Sequence, residues 1–129
     1  HVEITNLVIP GMNDADDQFE RLAGLIGANL GRKTPLHLSA YRPEHKLNVR
    51  PTPPATLAKA HEICSRSLDY VYMGNVRTDA GQDTLCPGCR SLLIERHGYR
   101  TVVRGLEDGK CRGCGRTADV AGLGKRPGR

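Results

Sequence analysis

No tryptophan occurs in this sequence and only one phenylalanine, Phe19, so the core has to be built from leucine, isoleucine and valine rather than from large rings. No apolar run is long enough to cross a bilayer, and no charged-then-apolar segment of the secretory kind opens the chain. A membrane is therefore not expected as a partner, and a cytoplasmic setting with reduced thiols is. A strong charge of either sign is lacking as well. The formal net charge is +5, and much of the excess sits in Lys125-Arg126-Pro127-Gly128-Arg129. That is a weak invitation to nucleic acid. At 129 residues the chain suits one modest domain, or a part-domain with a small module attached.

What the sequence does have is cysteine in a telling arrangement. Cys86-Pro87-Gly88-Cys89 and Cys111-Arg112-Gly113-Cys114 are two C-x-x-C turns flanking a hairpin-like insert. Such a pair can close tetrahedrally on one zinc, with Zn–S distances of about 2.3 Å. With Cys86, Cys89, Cys111 and Cys114 all ligating, no coordination position is left for water or substrate, so the site is structural. Two local disulfides or a redox C-x-x-C pair are the alternatives, although redox motifs seldom come as matched pairs around a hairpin. The fifth cysteine, Cys64, falls on an apolar helical stripe and reads as a small buried hydrophobe.

In order along the chain, residues 2–9 alternate and then run apolar into Val8-Ile9, as in a strand buried on both faces at its far end. A domain seldom begins on such a strand. Pro10-Gly11 turns the chain, with Asn13 or Asp14 placed to cap a helix over 14–30. The strand over 35–41 puts Leu36 and Leu38 on one face and His37, Ser39 and Tyr41 on the other. A mixed-charge loop over 42–51 leads to a helix started by Thr52-Pro53-Pro54, whose stripe is Leu57, Ala60, His61, Cys64 and Leu68. A third strand follows over 70–73. The reading is α/β: three parallel strands with two crossover helices over 1–77, a linker over 78–85, a small β zinc ribbon over 86–118, and a basic mobile tail over 119–129. In the ribbon, strands over 92–96 and 99–104 meet at a turn at His97-Gly98, and Asp108-Gly109 turns into the second knuckle. Arg90 occupies a knuckle position where glycine is usual, which predicts slight strain.

Leu7-Val8-Ile9-Pro10-Gly11-Met12-Asn13-Asp14, then Leu36-His37-Leu38-Ser39-Ala40-Tyr41, then Tyr70-Val71-Tyr72-Met73-Gly74-Asn75-Val76, and then the two cysteine knuckles together resemble the carboxy-terminal part of radical S-adenosylmethionine enzymes. The likeness is greatest to the AmmeMemoRadiSam-system group, which is similar to pyruvate formate-lyase activating enzyme. It implies the last part of a partial TIM-like barrel that holds a [4Fe-4S] cluster and S-adenosylmethionine at the carboxy ends of its strands and abstracts hydrogen through a 5′-deoxyadenosyl radical. Carried over, Val8, Ile9, Pro10 and Gly11 would form an apolar shelf for the adenine, and His37, Ser39 and Tyr41 would face the lumen. Without the resemblance, Pro10-Gly11 is only a turn and His37 a satisfied interior histidine.

The family holds its cluster with a C-x-x-x-C-x-x-C triplet, and this sequence has none, nor the glycine-rich segment that grips the methionyl part of the cofactor. By itself the chain should not cleave S-adenosylmethionine. The expected partners are the amino-terminal half of the same barrel and, by the resemblance, a protein substrate. The lost neighbour on that side would leave Ile4, Leu7 and Ile9 near an unpaired strand edge open to association. The rival function is a free-standing zinc ribbon that docks a protein or binds nucleic acid through Arg90, Arg96, Arg100, Arg104, Arg112 and Arg116. Only Tyr99 could stack on bases there, so nucleic acid is disfavoured, with binding expected to be weak and salt-sensitive.

Overall fold

The computed structural model describes residues 1–120; most of the expected tail over 119–129 lies outside the described residues. The chain falls into two compact units, His1–Gln82 and a second one beginning at Asp83.

The first unit is built in the order β1 (Ile4–Val8), α1 (Asp16–Asn29), β2 (Leu36–Ala40), α2 (Pro54–Ser65), β3 (Val71–Gly74). The three strands form one parallel sheet in the order β1-β2-β3. Ile4 pairs with Leu36, which pairs with Val71, and Asn6 pairs with Leu38, which pairs with Met73. This register places Leu36, Leu38, Ala40, Val71, Met73 and Val8 in one buried cluster. Phe19, Ala23 and Ile26 of α1 and Leu57, Ala60, Ile63 and Cys64 of α2 belong to the same cluster. The alternation of β2 is therefore read out directly: residues one apart in sequence go to opposite faces, and the even-numbered ones carry the core. Among the described residues β1 is an edge strand, as expected, with Ile4 packed against the core and Leu7 exposed.

Helix α1 carries Asp16 and Asp17 in its first turn, where carboxylates favour the positive end of the helix dipole. Neither Asn13 nor Asp14 caps it. The N-cap is Ala15, whose backbone N–H is taken by the Gln18 side chain at 3.0 Å. Asn13 and Asp14 close the preceding loop instead. Ile9 N–H donates to Asn13 Oδ1 at 2.7 Å and Gly11 N–H to Asp14 Oδ1 at 3.0 Å. Helix α2 begins as expected, with Pro53 at the N-cap and Pro54 in the first turn.

Residues 78–85, expected as a linker, carry packed structure. Met73 N–H donates to Gly81 O at 2.9 Å and Gln82 Nε2 donates to Met73 O at 2.6 Å, which ties this stretch to β3. Thr84–Leu85 is strand β4 of the second unit.

In that unit β4, β5 (Leu92–His97) and β6 (Arg100–Val103) form an antiparallel sheet, and β7 (Leu106–Glu107) and β8 (Lys110–Cys111) a two-stranded one. His97 pairs with Arg100, so the hairpin turn is at Gly98-Tyr99, one residue later than expected. Asp108 and Gly109 both take positive φ, 49° and 74°, the backbone of a tight hairpin turn. The core here is small: Leu93, Ile94, Cys86 and Cys111, with Leu106 and Val120 packed on it.

Candidate metal centre and the open face of the sheet

The two knuckles are near copies of each other. In the first, Arg90 N–H donates to Cys86 O at 2.8 Å; in the second, Gly115 N–H donates to Cys111 O at 2.8 Å. The residue after the second cysteine is left-handed in both, at φ 64° for Arg90 and 76° for Gly115. The first cysteine of each knuckle is buried and the second exposed. Each knuckle's glycine also lies against the other knuckle. A Cβ on Gly113 would fall 3.1 Å from Cys89 Sγ, and one on Gly88 3.5 Å from Cys114 Sγ.

This mutual fit brings four sulfurs together, all within 4.8 Å of one another. Cys86 Sγ lies 3.7 Å from Cys114 Sγ, and Cys89 Sγ 3.6 Å from Cys111 Sγ. A tetrahedral thiolate site with metal–sulfur bonds of about 2.3 Å has edges of about 3.8 Å, so the cage has the dimensions of a four-coordinate metal site. The close Cys86–Cys114 and Cys89–Cys111 pairs run between the knuckles rather than within either of them, which disfavours two local disulfides. The sulfurs differ: Cys86 and Cys89 are drawn toward thiolate, whereas at Cys114 the Arg116 backbone N–H works to lower the thiol but burial and the three other cysteines push it up to about 11. The Ser91 hydroxyl and backbone N–H draw Cys89 down to about 6, with Ser91 Oγ 3.1 Å from the sulfur. Burial works to raise Cys86, but backbone N–H groups of Cys89 and Gly88 hold it below its ordinary value. Four such ligands can hold a metal ion and leave it no open position for chemistry. Cys64 takes no part: it is buried in the first unit with its thiol 3.7 Å from Phe19 O, and burial pushes it up to about 11.

The other site expected from sequence lies in the first unit. Since α1, α2 and the even residues of β2 share one core, the opposite face of the sheet carries no helix among the described residues and is half-exposed. Thr5, His37 and Tyr72 form one row across it, and Leu7, Ser39 and Gly74 the next. His37 Nε2 lies 2.7 Å from Glu3 Oε2, and its ring stacks on Tyr72 with centroids 5.2 Å apart and planes at 24°. His1 Nε2 sits 2.7 Å from the other Glu3 oxygen. The imidazole is thus held by a carboxylate on one side and a ring on the other.

The remaining expected residues are placed differently. Tyr41 is buried, its hydroxyl donating to Leu47 O at 2.9 Å. Val8 is fully buried in the core, and its carbonyl accepts from Thr52 Oγ1 at 2.5 Å. Pro10 is buried, Ile9 half-buried and Gly11 exposed, with open space where a Cβ on Gly11 would stand. Glu3 and Tyr72 were not singled out from sequence. Tyr72 was legible in the alternation with Val71 and Met73, whereas Glu3 needed the parallel register with β2.

The arginines of the rival reading are mostly engaged. Arg104 Nε reaches Glu95 Oε2 at 2.7 Å, Arg112 lies 3.8 Å from Glu107, and Arg116 Nη2 is 2.8 Å from Asp119. Arg96 bonds to the Thr84 hydroxyl. Arg90 and Arg100 are exposed, and Tyr99 projects fully from the hairpin tip.

No helix among the described residues is long and apolar enough to cross a membrane. No family model and no solved structure matches the chain. It is similar to the uncharacterized protein MJ0808 of Methanocaldococcus jannaschii, at 41% identity over 123 residues, which cover 92% of this chain and 37% of that protein's length.

Proposed function

We propose that this chain is the carboxy-terminal portion of a radical S-adenosylmethionine enzyme of the activating-enzyme-like kind, with an appended structural zinc ribbon. One observation carries the reading: both helices share a core with one face of a parallel sheet, while the other face is half-exposed and bears His37, Ser39 and Tyr72. Parallel sheets are ordinarily covered on both faces, so a three-stranded parallel sheet with helices on one face only is what a segment of a larger sheet or barrel presents. The motif around Ile9-Pro10-Gly11 and the downstream cysteine cage support the same assignment, and the match to only 37% of the relative's length leaves ample room for the rest of such a barrel.

In this reading the cofactor, when bound, supplies the hydrogen-abstracting chemistry, and the rest of the barrel supplies its cluster. This chain's residues bind and orient. The turn Ile9-Pro10-Gly11 offers an apolar edge with open space beside Gly11, Val8 supports that turn from the core, its carbonyl held by Thr52, and the imidazole of His37 is fixed by Glu3 and Tyr72. Tyr41 stiffens the following loop rather than lining the lumen. The setting is cytoplasmic, the partner is the remainder of the barrel, and a protein is the substrate class that the activating-enzyme likeness suggests. The zinc ribbon is structural. Neutralised arginines weaken the nucleic-acid alternative.

The test reads the coding DNA upstream of His1 and analyses metals. An in-frame C-x-x-x-C-x-x-C, with about one zinc per chain here and iron with acid-labile sulfide appearing only when the upstream segment is co-expressed, is the expected result. An upstream stop codon with no such triplet sinks the enzyme reading, and iron with labile sulfide bound by this chain alone sinks the zinc assignment.

A further inference from the structure

The positive charges of the first unit divide into two groups. On the helices and the turns at the amino ends of the strands they are spent: Arg21 lies 3.6 Å from Asp17, Arg32 2.9 Å from Asp69, Lys59 3.0 Å from Asp16 and Arg66 3.4 Å from Glu62. Arg42, Lys46, Arg50 and Arg77 are different. All four are exposed, none has a carboxylate partner among the described residues, and all lie on the two loops that leave the carboxy ends of β2 and β3. The same two loops carry Glu44 and Asp79, and the β1–α1 loop carries Asp14, yet none is paired with these cations among the described residues, and Asp14 is turned to the Gly11 N–H.

The loops do not need the cations for their own shape. The Tyr41 hydroxyl donates to Leu47 O, Thr52 N–H to Tyr41 O at 3.0 Å, and Tyr41 N–H to Thr52 Oγ1 at 2.8 Å, so the β2–α2 loop is closed at its base by uncharged bonds. Among the described residues Arg42 alone of the four makes an internal hydrogen bond, a long one of 3.5 Å to Asn75 O, which ties the β2 loop to the β3 loop. The carboxy ends of parallel strands are where α/β sheets receive ligands. We infer that this end of the sheet binds a small anion, a phosphate or carboxylate group of a ligand, through Arg42, Lys46, Arg50 and Arg77. Arginine suits such a group because its planar fork can meet two oxygens at once. The inference rests on these side chains alone and stands or falls independently of the radical-enzyme reading.

The experiment is a titration of the isotope-labelled chain, followed by backbone amide shifts, with inorganic phosphate and separately with succinate, at constant ionic strength. The expected result is a saturable shift at residues 42–50 and 75–78. Arg42→Gln and Arg77→Gln should each weaken it about tenfold, as for one lost charge-assisted contact, while Arg21→Gln and Arg66→Gln leave it unchanged. Whichever anion saturates first identifies the group. Arg77 makes no internal bond among the described residues, so its variant keeps the fold even if Arg42→Gln loosens the loop, and unchanged β1–β3 amides verify this. Shifts that rise linearly without saturation, or that are as large at Arg90 and Arg100, would overturn the proposal. So would tight binding of a single-stranded oligonucleotide spread over both units, which would mark a nucleic-acid surface instead.

Discussion

Gly105 stands so close to Leu92 that a methyl group on it would lie 2.0 Å from the Leu92 carbonyl oxygen. The approach lets Gly105 N–H donate to Leu93 O at 3.1 Å while Gly105 O accepts from Arg112 N–H at 2.9 Å, so one residue joins the hairpin to the second knuckle. Backbone cannot yield as a side chain can. Gly105→Ala should therefore cost the ribbon about 3 kcal/mol or more, read as loss of amide protection in β5 and β6 with β1–β3 unchanged. Wild-type protection in the variant would contradict the packing described.

Arg90 should behave in the opposite way. It holds φ 64° where the twin knuckle has Gly115, and a non-glycine residue in that region costs about 1–2 kcal/mol. Part of that cost returns as unfolded-state entropy when glycine is introduced. Arg90→Gly is expected to stabilise the metal-loaded ribbon by about 0.5–1 kcal/mol, seen as slower metal release to a competing chelator. Faster release would mean that the arginine side chain contributes more than its backbone costs.

Metal removal should divide the chain at Gln82–Asp83. The second unit buries few apolar side chains, and in comparable small sites metal binding supplies on the order of 10 kcal/mol. Chelation at neutral pH is expected to abolish hydrogen-exchange protection from Leu92 to Val103 and to leave α1, α2 and the parallel sheet protected. Cys111→Ser should do the same without chelator, because Cys111 belongs both to the four-sulfur cluster that could hold a metal and to that core. Simultaneous collapse of the first unit would show that the two are not separately stable.

A pH effect follows from Cys64. Its thiol is pushed from 9.0 to about 11 by burial, so the folded state resists losing that proton more than the unfolded state does. The associated stability is whole below pH 9 and is lost as pH climbs from there through 11. A rise of that size corresponds to about 3 kcal/mol at most. Denaturant unfolding of the first unit should weaken over that window in the wild type and lack this component in Cys64→Ala, once the variant's lower overall stability is subtracted. Identical pH profiles would remove the role of burial at this thiol.

Much of this was open to reading from the chain alone. The β2 alternation, the proline start of α2 and the spacing of the knuckles are local signals, each set by residues near in sequence, and the structure follows them. What escaped depends on residues far apart. Glu3 meets His37 only because β1 and β2 run parallel in a particular register. Thr52 looked like part of a helix start, yet its hydroxyl serves Val8 and Tyr41. Asn13 and Asp14 have the chemistry of caps, but in this loop the nearer N–H groups of Ile9 and Gly11 claim them. Gly81 looked like linker because nothing in 78–82 is apolar enough to announce that it would bond to the edge of β3.

The hairpin between the knuckles has a consequence for how freely the chain could vary. Cys89 and Cys111 are brought together by the cage, and the β5–β6 arms between them end in the Gly98-Tyr99 tip, which is wholly outside the small core. Once the ends of such a segment are fastened, its length enters the free energy only logarithmically, and doubling it costs about 0.6 kcal/mol. The tip is thus a place where residues can be spliced in, as whole cross-strand pairs or as a flexible insert, with the four sulfurs unmoved. The knuckles themselves allow no such latitude, since a single added atom at Gly113 would meet Ser91 Oγ at 2.5 Å.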